Sequence, residues 1–269
     1  MSIKIPPMPF DFPSKRSDKH IRLLSYNIQV GIAATSYGQY VTAMWKHFLP
    51  HAEIYDNLSQ IATAIQDFDI VGLQEVDAGS FRSSFVNQIE YLAEKGGFPY
   101  WYHQTNREIA KITKHSNGVI SKFKPIEVDD YKLPGVIPGR GIMVIKYGNP
   151  ANPLILITVH LALGKRARQR QLEFVSEIVN CYDHVVVMGD MNCQTDSAEL
   201  QYLLTTTNLV DPEHGLKTFP SWRPARKLDH ILTSASLEVH DVHVLDHVLS
   251  DHLPIAMDIM LPDDLDIAA

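Results

Sequence analysis

Short apolar runs of strand length, each closing on a polar residue, constrain this chain most. VVVMGDMN (185–192) is the clearest: four apolar residues, then Gly189, Asp190, Met191 and Asn192. Such a run reads as a strand covered on both faces. IRLLSYNIQ (21–29) and DIVGLQEV (69–76) are of the same kind, and strand-like runs recur at 100–105, 117–123, 141–147, 154–160, 228–233, 238–245 and 255–261. Between them lie helical patterns. Ile54, Leu58, Ile61, Ala62 and Ile65 keep helical spacing within 52–67. A second helix is expected near 84–96, stopped by Gly96-Gly97, and a third over 166–180. Alternating strands and helices, with strands in excess, predict an α/β domain built on more than one sheet.

No repeat or linker divides the chain, and 269 residues suffice for one large core. Residues 1–20, with prolines at 6, 7, 9 and 13, read as an extended arm; 21–262 form the domain; 263–269 form an acidic tail. A net charge of −7 argues against a protein that coats polyanions, which needs a basic footprint. Two cysteines, Cys181 and Cys193, are too few for a disulfide scaffold or a thiolate zinc site. The N-terminal segment lacks the apolar core of a secretory signal, and no run of eighteen apolar residues occurs. A cytoplasmic protein is expected, with signal-independent export left open.

The polar run ends form a set. Asn27 sits inside an apolar run; Glu75, His160 and Asp190 close runs; Asp229 lies in RKLDHIL; Ser250, Asp251 and His252 open the last strand. Taken alone, Asn27 reads as a satisfied core amide and His160 as a packed histidine. So many polar groups at strand ends are costly unless they converge. Carboxylates and amides without thiolates suit a hard cation, Mg²⁺ or Mn²⁺. Two histidines with carboxylate partners supply acid–base groups near neutral pH. The combination describes metal-assisted hydrolysis of a phosphate ester. Asp190 and Asn192, two apart in an extended chain, are expected on one face, both toward the phosphate.

SYNIQ, LQEV, NGVIS, VHL, GDMN, LDHIL and SDHLPI, in this order, resemble the endonuclease/exonuclease/phosphatase superfamily over roughly 21–262. TFPSWRPARKLDHIL (218–232) and HLALGKRARQRQ (160–171) look most like its small bacterial members of unassigned substrate. The resemblance implies two mixed β-sheets packed face to face, with helices on the outer faces. It implies Glu75 as principal metal ligand with Asn27, and Asp251 on the metal side. Asp190 would activate or orient water, Asn192 would hold metal or phosphate, and His252 would meet the scissile phosphate or act as its acid–base partner. Asp229 would orient His252, His160 matches the deoxyribonuclease and sphingomyelinase branches, and Asn117 would be a phosphate-side amide. Gln29 stands where some repair nucleases carry an acid, which favours one metal over two.

Outside these motifs, Arg166 and Arg170 share a helix face with Glu173 and Glu177 and read as solvated pairs. Arg168 lies in line with Leu172, Val175 and Val179 and should turn inward. Arg168 or Lys165 is a candidate to bind substrate phosphate. Arg140, in a GRG turn, is a weaker one. His240, His243 and His247 read as exposed strand histidines rather than a zinc cluster. Specificity loops are expected at 30–50, 77–84 and 124–140, carrying or adjoining Tyr37, Tyr40, Trp45, Phe48, Phe81 and Phe85, aromatics suited to a base or a lipid surface.

Three functions follow. The first is a phosphodiesterase or phosphatase acting on a small molecule or lipid headgroup. The second is a nuclease of the same mechanism, disfavoured by net charge. The third is an inactive binding module, disfavoured because every motif position holds a competent residue. The expected partner is a phosphate ester, with peripheral lipid contact left open, and the expected state is monomeric.

Overall fold

The computed structural model describes residues 19–32, 53–109, 113–135, 139–212 and 215–267, without the side chains of 82, 106–109 and 113–115. Tyr37, Tyr40, Trp45, Phe48 and most of the N-terminal arm lie outside the described residues.

The strands are β1 His20–Asn27, β2 Ile70–Asp77, β3 Tyr100–Ile109, β4 Thr113–Ser121, β5 Glu127–Lys132, β6 Gly141–Asn149, β7 Asn152–His160, β8 His184–Asp190, β9 Leu209–Val210, β10 Asp229–Ser234, β11 Glu238–Val244 and β12 Ile255–Met260. The helices are α1 Glu53–Ile65, α2 Gln88–Gly96, α3 Lys165–Val179 and α4 Ala198–Thr206. One sheet has the order β11-β12-β1-β2-β4-β3, the other β5-β6-β7-β8-β10-β9. The sheets are built alike. At the centre of each lies a parallel pair, β1 with β2 across α1 and β7 with β8 across α3, flanked by antiparallel strands.

Strand alternation divides the apolar residues among layers. Ile21, Leu23, Leu156, Val186, Met188 and Ile231 join one cluster between the sheets. Leu24, Tyr26 and Val71 pack under α1 and α2. Ile155, Ile157 and Val187 pack under α3 and α4. The expected sandwich of two mixed sheets with helices outside is therefore the observed fold.

Some elements differ from the sequence reading. Residues 127–132, expected within a loop, form β5, which pairs with β6 along one sheet edge. EVDDYK is mostly exposed and so carries no apolar period to read. Neither α4 nor the two-residue β9 is anticipated by the pattern. The helix expected from 84 begins at Gln88, because Ser84 and Phe85 adopt positive φ values of 49° and 64°. The acidic C-terminal stretch packs rather than extending freely: Leu265 and Ile267 are buried in the cluster between the sheets. Lys19 holds it by donating to the carbonyls of Asp263 and Leu265. His247 lies beyond β11 and is buried, unlike the exposed His240.

A buried ion pair anchors the segment leading into β10. Lys227 Nζ lies 2.8 Å from each carboxylate oxygen of Asp211, which also accepts from Thr195 Oγ1 at 2.8 Å. Burial alone would raise the Asp211 pKa, but hydrogen bonds from His230 and Lys227 outweigh it and hold the carboxyl below its ordinary value. Asp211→Asn strands a buried ammonium and should cost about 3 kcal/mol at neutral pH. A depressed folded pKa gives stability that is complete above the unfolded value, near ~4, and is lost as pH falls below it. Urea denaturation across pH should therefore show the gap between the two proteins narrowing below about pH 4. A gap independent of pH would show that the Asp211 charge does not matter.

Candidate active site

All four central strands deliver a polar group at their C-terminal ends, on one edge of the sandwich. β1 carries Ile21, Leu23, Ser25 and Asn27 on the inward register; β7 carries Leu154, Leu156, Thr158 and His160; β8 carries Val186, Met188 and Asp190. The apolar layer between the sheets thus gives way to polar residues along the same strands. Antiparallel β10 enters at this edge with Asp229 opposite Asp190. His252 precedes β12, which pairs with β1.

Gly189 explains why the run closes as it does. Its φ is +146°, and a Cβ there would lie 1.9 Å from the Val159 carbonyl oxygen. Only glycine lets β8 approach β7 this closely, and the register then sets His160 beside Asp190. Glu75 arrives differently. Simple alternation after Val71 and Leu73 would point it at the helices. A register shift between Leu73 and Val76 and a φ of 53° at Glu75 restore Val76 to the helix side and release Glu75 from the alternation.

Asp190 is the centre of the cluster. Asn27 Nδ2 donates to its Oδ2 at 3.2 Å, and the Asn192 backbone N–H donates to its Oδ1 at 2.9 Å. His160 Nε2 lies 3.5 Å from Asp190 Oδ2 and 3.7 Å from Glu75 Oε1. His252 Nε2 lies 3.8 Å from Asp190 Oδ2, while its Nδ1 is 2.7 Å from Asp229 Oδ2. The Asp229 oxygen also accepts from Thr218 Oγ1. Asn27 Oδ1 accepts from the Gln29 N–H at 3.1 Å, so Gln29 braces the amide through its backbone. Ser250 Oγ donates to the Asn27 carbonyl at 2.7 Å and contacts Asp251 Oδ1 at 3.3 Å.

Asn192 does not share a face with Asp190 by strand alternation. The strand ends at Asp190, and Asn192 has a φ of 53° in the following turn. Its N–H caps Asp190, and its Nδ2 donates to the Leu161 carbonyl at 2.9 Å. Asn117 is buried in β4 and donates to the Gly141 carbonyl at 3.3 Å, beside Arg140. Arg168 turns inward, as expected. Its guanidinium binds Glu199 at 2.7 and 3.1 Å and the carbonyls of Ala162 and Leu163. Lys165 is 70% exposed and lies 4.0 Å from Glu199. Neither cation is joined to the Asp190 cluster by these contacts. Arg140, the weaker sequence candidate, is electrostatically coupled to Glu75 and Asp190, although burial lowers its pKa.

The charges follow from burial. Desolvation raises Asp190 and Asp251 to about 6 each, and raises Glu75 as well. Burial opposes the charge on His252, but Asp229, Asp190 and Asp251 together raise its pKa to about 10. Asp190, Asp229 and His252 could together offer ligand atoms within 4.8 Å. Asp229 Oδ2 is already engaged by Thr218 and His252, however, and its residue is fully buried. Glu75, with 31% of its side chain exposed, is the open carboxylate. Oxygen donors from Glu75, Asn27, Asp190 and Asp251 fit a hard divalent cation.

A fold of two mixed six-stranded sheets with this cluster at one edge belongs to a known class. The sequence model of the endonuclease/exonuclease/phosphatase family matches residues 24–252, and this chain belongs to that family. It is similar to an endonuclease/exonuclease/phosphatase from Beutenbergia cavernae, at 20% identity and TM-score 0.70, over 90% of this chain and 72% of that one. A mannosyl-6-phosphatase from Bacteroides thetaiotaomicron gives 18% identity and TM-score 0.68, over 90% and 100%. The human Nocturnin catalytic domain with bound sulfate gives 18% and 0.68, over 91% and 94%. No curated protein sequence matches the chain. Among the described residues, no helix is long and apolar enough to cross a membrane.

Asp229→Asn removes the nearest charge that keeps His252 protonated. An NMR titration of the imidazole should find its pKa well below the value near 10 in the parent protein. An unchanged titration would mean that Asp190 and Asp251 alone sustain the charge.

Proposed function

We propose that this chain is a divalent-metal-dependent hydrolase of phosphate esters, acting as a phosphodiesterase or phosphatase on a small-molecule or lipid-headgroup substrate. The observation that carries this reading is Asp190, buried where Asn27, Asn192, His160 and His252 all meet it. Such an arrangement suits in-line attack of water on phosphorus.

Glu75 and Asn27 would hold Mg²⁺ or Mn²⁺, with Asp251 on the same side. The ion supplies Lewis acidity toward the phosphoryl oxygens. Asp190 orients the attacking water and accepts its proton; Asn27 and the Asn192 N–H fix the rotamer it needs. His252, held cationic by Asp229, donates to the phosphoryl group. His160, between Glu75 and Asp190, directs a second imidazole nitrogen at the same space. Arg140 adds positive charge that interacts with Glu75 and Asp190. Asn117 supports the backbone next to Arg140, and Asn192 supports Leu161. Arg168 holds the loop after β7 through its two carbonyl contacts rather than serving as the leading phosphate ligand. The phosphatase among the structural neighbours agrees with this reaction type, but fold analogy does not set the substrate.

Hydrolysis of bis-p-nitrophenyl phosphate should require Mg²⁺ or Mn²⁺ and stop in EDTA. Glu75→Gln keeps the shape and removes the charge, so metal affinity and rate should fall together. Full turnover in EDTA would refute the mechanism.

The preference for a small substrate has its own test. A nuclease contacting six or more phosphates loses roughly a thousandfold in affinity between low and moderate salt. Lys122 and Lys124 are scattered cations in a chain of net charge −7. Anisotropy titrations of a labelled duplex with the His252→Ala protein should give weak binding and a shallow salt slope. Tight binding with a steep slope would make nuclease the better assignment.

A further inference from the structure

We propose that Gln88, the first residue of α2, is a positioning residue for the metal-side groups. Its side-chain amide locks together the two chain segments that follow Asn27 and Glu75, and so fixes the spacing between those groups. The inference rests on the functional reading above and adds to that site a residue from outside its motifs.

Asn27 and Glu75 lie at the ends of neighbouring strands. β1 and β2 run parallel with Asn27 opposite Gln74, and the Ile28 N–H donates to the Gln74 carbonyl at 3.1 Å. Regular pairing stops there. Beyond Asn27 the chain passes through positive φ at Gln29, Val30 and Gly31, at 44°, 58° and 76°, and Glu75 itself sits at 53°. Positive φ is uncommon in residues other than glycine, and more so in β-branched Val30. Such backbone persists only where its surroundings hold it. The backbone groups just past Asn27 and Glu75 therefore need partners that the sheet no longer supplies.

Gln88 supplies them. Its Oε1 accepts from the Asp77 N–H at 2.9 Å, two residues after Glu75. Its Nε2 donates to the Val30 carbonyl at 2.9 Å, three residues after Asn27. The amide thus stands in for the missing ladder bonds, with one acceptor and one donor between two chains. Gln88 is 1% exposed, so water does not compete for either bond. The segments it joins are also held from their far sides. The buried Asp77 carboxylate accepts from the Ser80 N–H and Oγ at 2.7 and 2.6 Å and from Ser83 Oγ at 2.9 Å. Asn57 Nδ2, on α1, donates to the Gly31 carbonyl at 3.0 Å. Asn87 caps α2 by accepting from the Ile89 N–H at 3.0 Å, and Ile89 and Leu92 pack into the cluster that holds Val71 and Leu73.

The bland alternative is a buried glutamine that does no more than satisfy its own polar atoms. The destinations of its two bonds argue otherwise. Each goes to a segment that carries a metal-side group, and neither goes to its own helix. The chemical requirement is narrow as well, a donor and an acceptor on one uncharged group. Methionine matches the length and offers neither bond. Glutamate keeps the acceptor but sets a carboxylate against the Val30 carbonyl. A loosened turn after Asn27 also disturbs the Gln29 N–H that braces the Asn27 amide oxygen.

The test is calorimetric titration of Mn²⁺ into the substrate-free protein, comparing the unsubstituted chain with Gln88→Met and Leu92→Ala. Leu92→Ala opens a cavity beneath the same helix and leaves the amide in place, so it measures general loosening. Gln88→Met should weaken Mn²⁺ binding roughly 10- to 100-fold, as removal of an outer-shell partner does. Leu92→Ala should lower the unfolding midpoint in urea and leave Mn²⁺ affinity unchanged. Saturating Mn²⁺ should restore most of the turnover of Gln88→Met, which places its defect in metal dependence and not in kcat. Unchanged Mn²⁺ affinity in Gln88→Met, or an equal fall in Leu92→Ala, would overturn the proposal. If Gln88→Met does not fold, Gln88→Glu takes its place with a fall expected in the same direction. Amide hydrogen exchange on the unsubstituted, metal-free protein answers without any variant: the Asp77 N–H should be protected, and rapid exchange there would also overturn the proposal. An unsubstituted protein that binds no Mn²⁺ would instead refute the functional reading, and the proposal with it.

Discussion

The buried Asp190 carboxylate organises this molecule. A carboxylate taken out of water costs several kcal/mol, on the order of a whole domain's net stability, unless polar partners replace the solvent. Here those partners come from different strands and from both sheets. Asn27 ends β1 in one sheet, His160 ends β7 in the other, and the turn after β8 supplies the Asn192 N–H. The sheets must therefore pack with their central parallel pairs pointing the same way. The apolar layer between them fixes the spacing, and Gly189 allows the close approach of β7 and β8 that brings His160 alongside.

This explains which parts of the site were legible in the sequence. Asn27, His160, Asp190 and Asp229 stood out because each interrupts or closes an apolar strand, where an unsupported polar group is expensive. His252 stood out through its motif. Glu75 also closes an apolar run, but its orientation is not readable there, because it depends on a bulge and a positive φ that alternation does not encode. The opposite error affected Asn192: the two-residue spacing from Asp190 suggested a shared face, but the strand had already ended. Arg168 turns inward, as its place on the apolar stripe of α3 predicts. Its partner, Glu199, lies thirty-one positions away on a helix that the pattern did not reveal. Arg140 illustrates a further limit. It precedes β6 in a glycine-flanked turn, and only the assembled sandwich brings it into the field of Glu75 and Asp190.

The fold was legible in a similar way. Buried strands such as β8 announce themselves by continuous apolar runs. β5 is an edge strand whose residues face water, so its sequence carries neither period nor hydrophobicity. The C-terminal stretch deceives in the reverse sense: alternating acids suggest a solvated tail, yet Leu265 and Ile267 between them enter the core.

The electrostatics of the site give the strongest physical argument for the proposed metal. Burial raises the pKa values of Asp190, Asp251 and Glu75, and a neighbouring carboxylate adds to it at each, Asp229 at Asp190, Glu75 at Asp251 and Asp190 at Glu75. Each is thus less readily ionised than an exposed carboxylate, and the group as a whole lacks positive charge. His252 offsets part of that, at the cost of drawing its own pKa far upward. Arg140 offsets a further part, with its own charge disfavoured by burial. The remaining demand lies at Glu75, the one carboxylate of the cluster with substantial exposure, where a cation and its waters have access. A divalent ion there would lower all three pKa values together and keep Asp190 ionised near neutral pH, which accepting a proton from water requires.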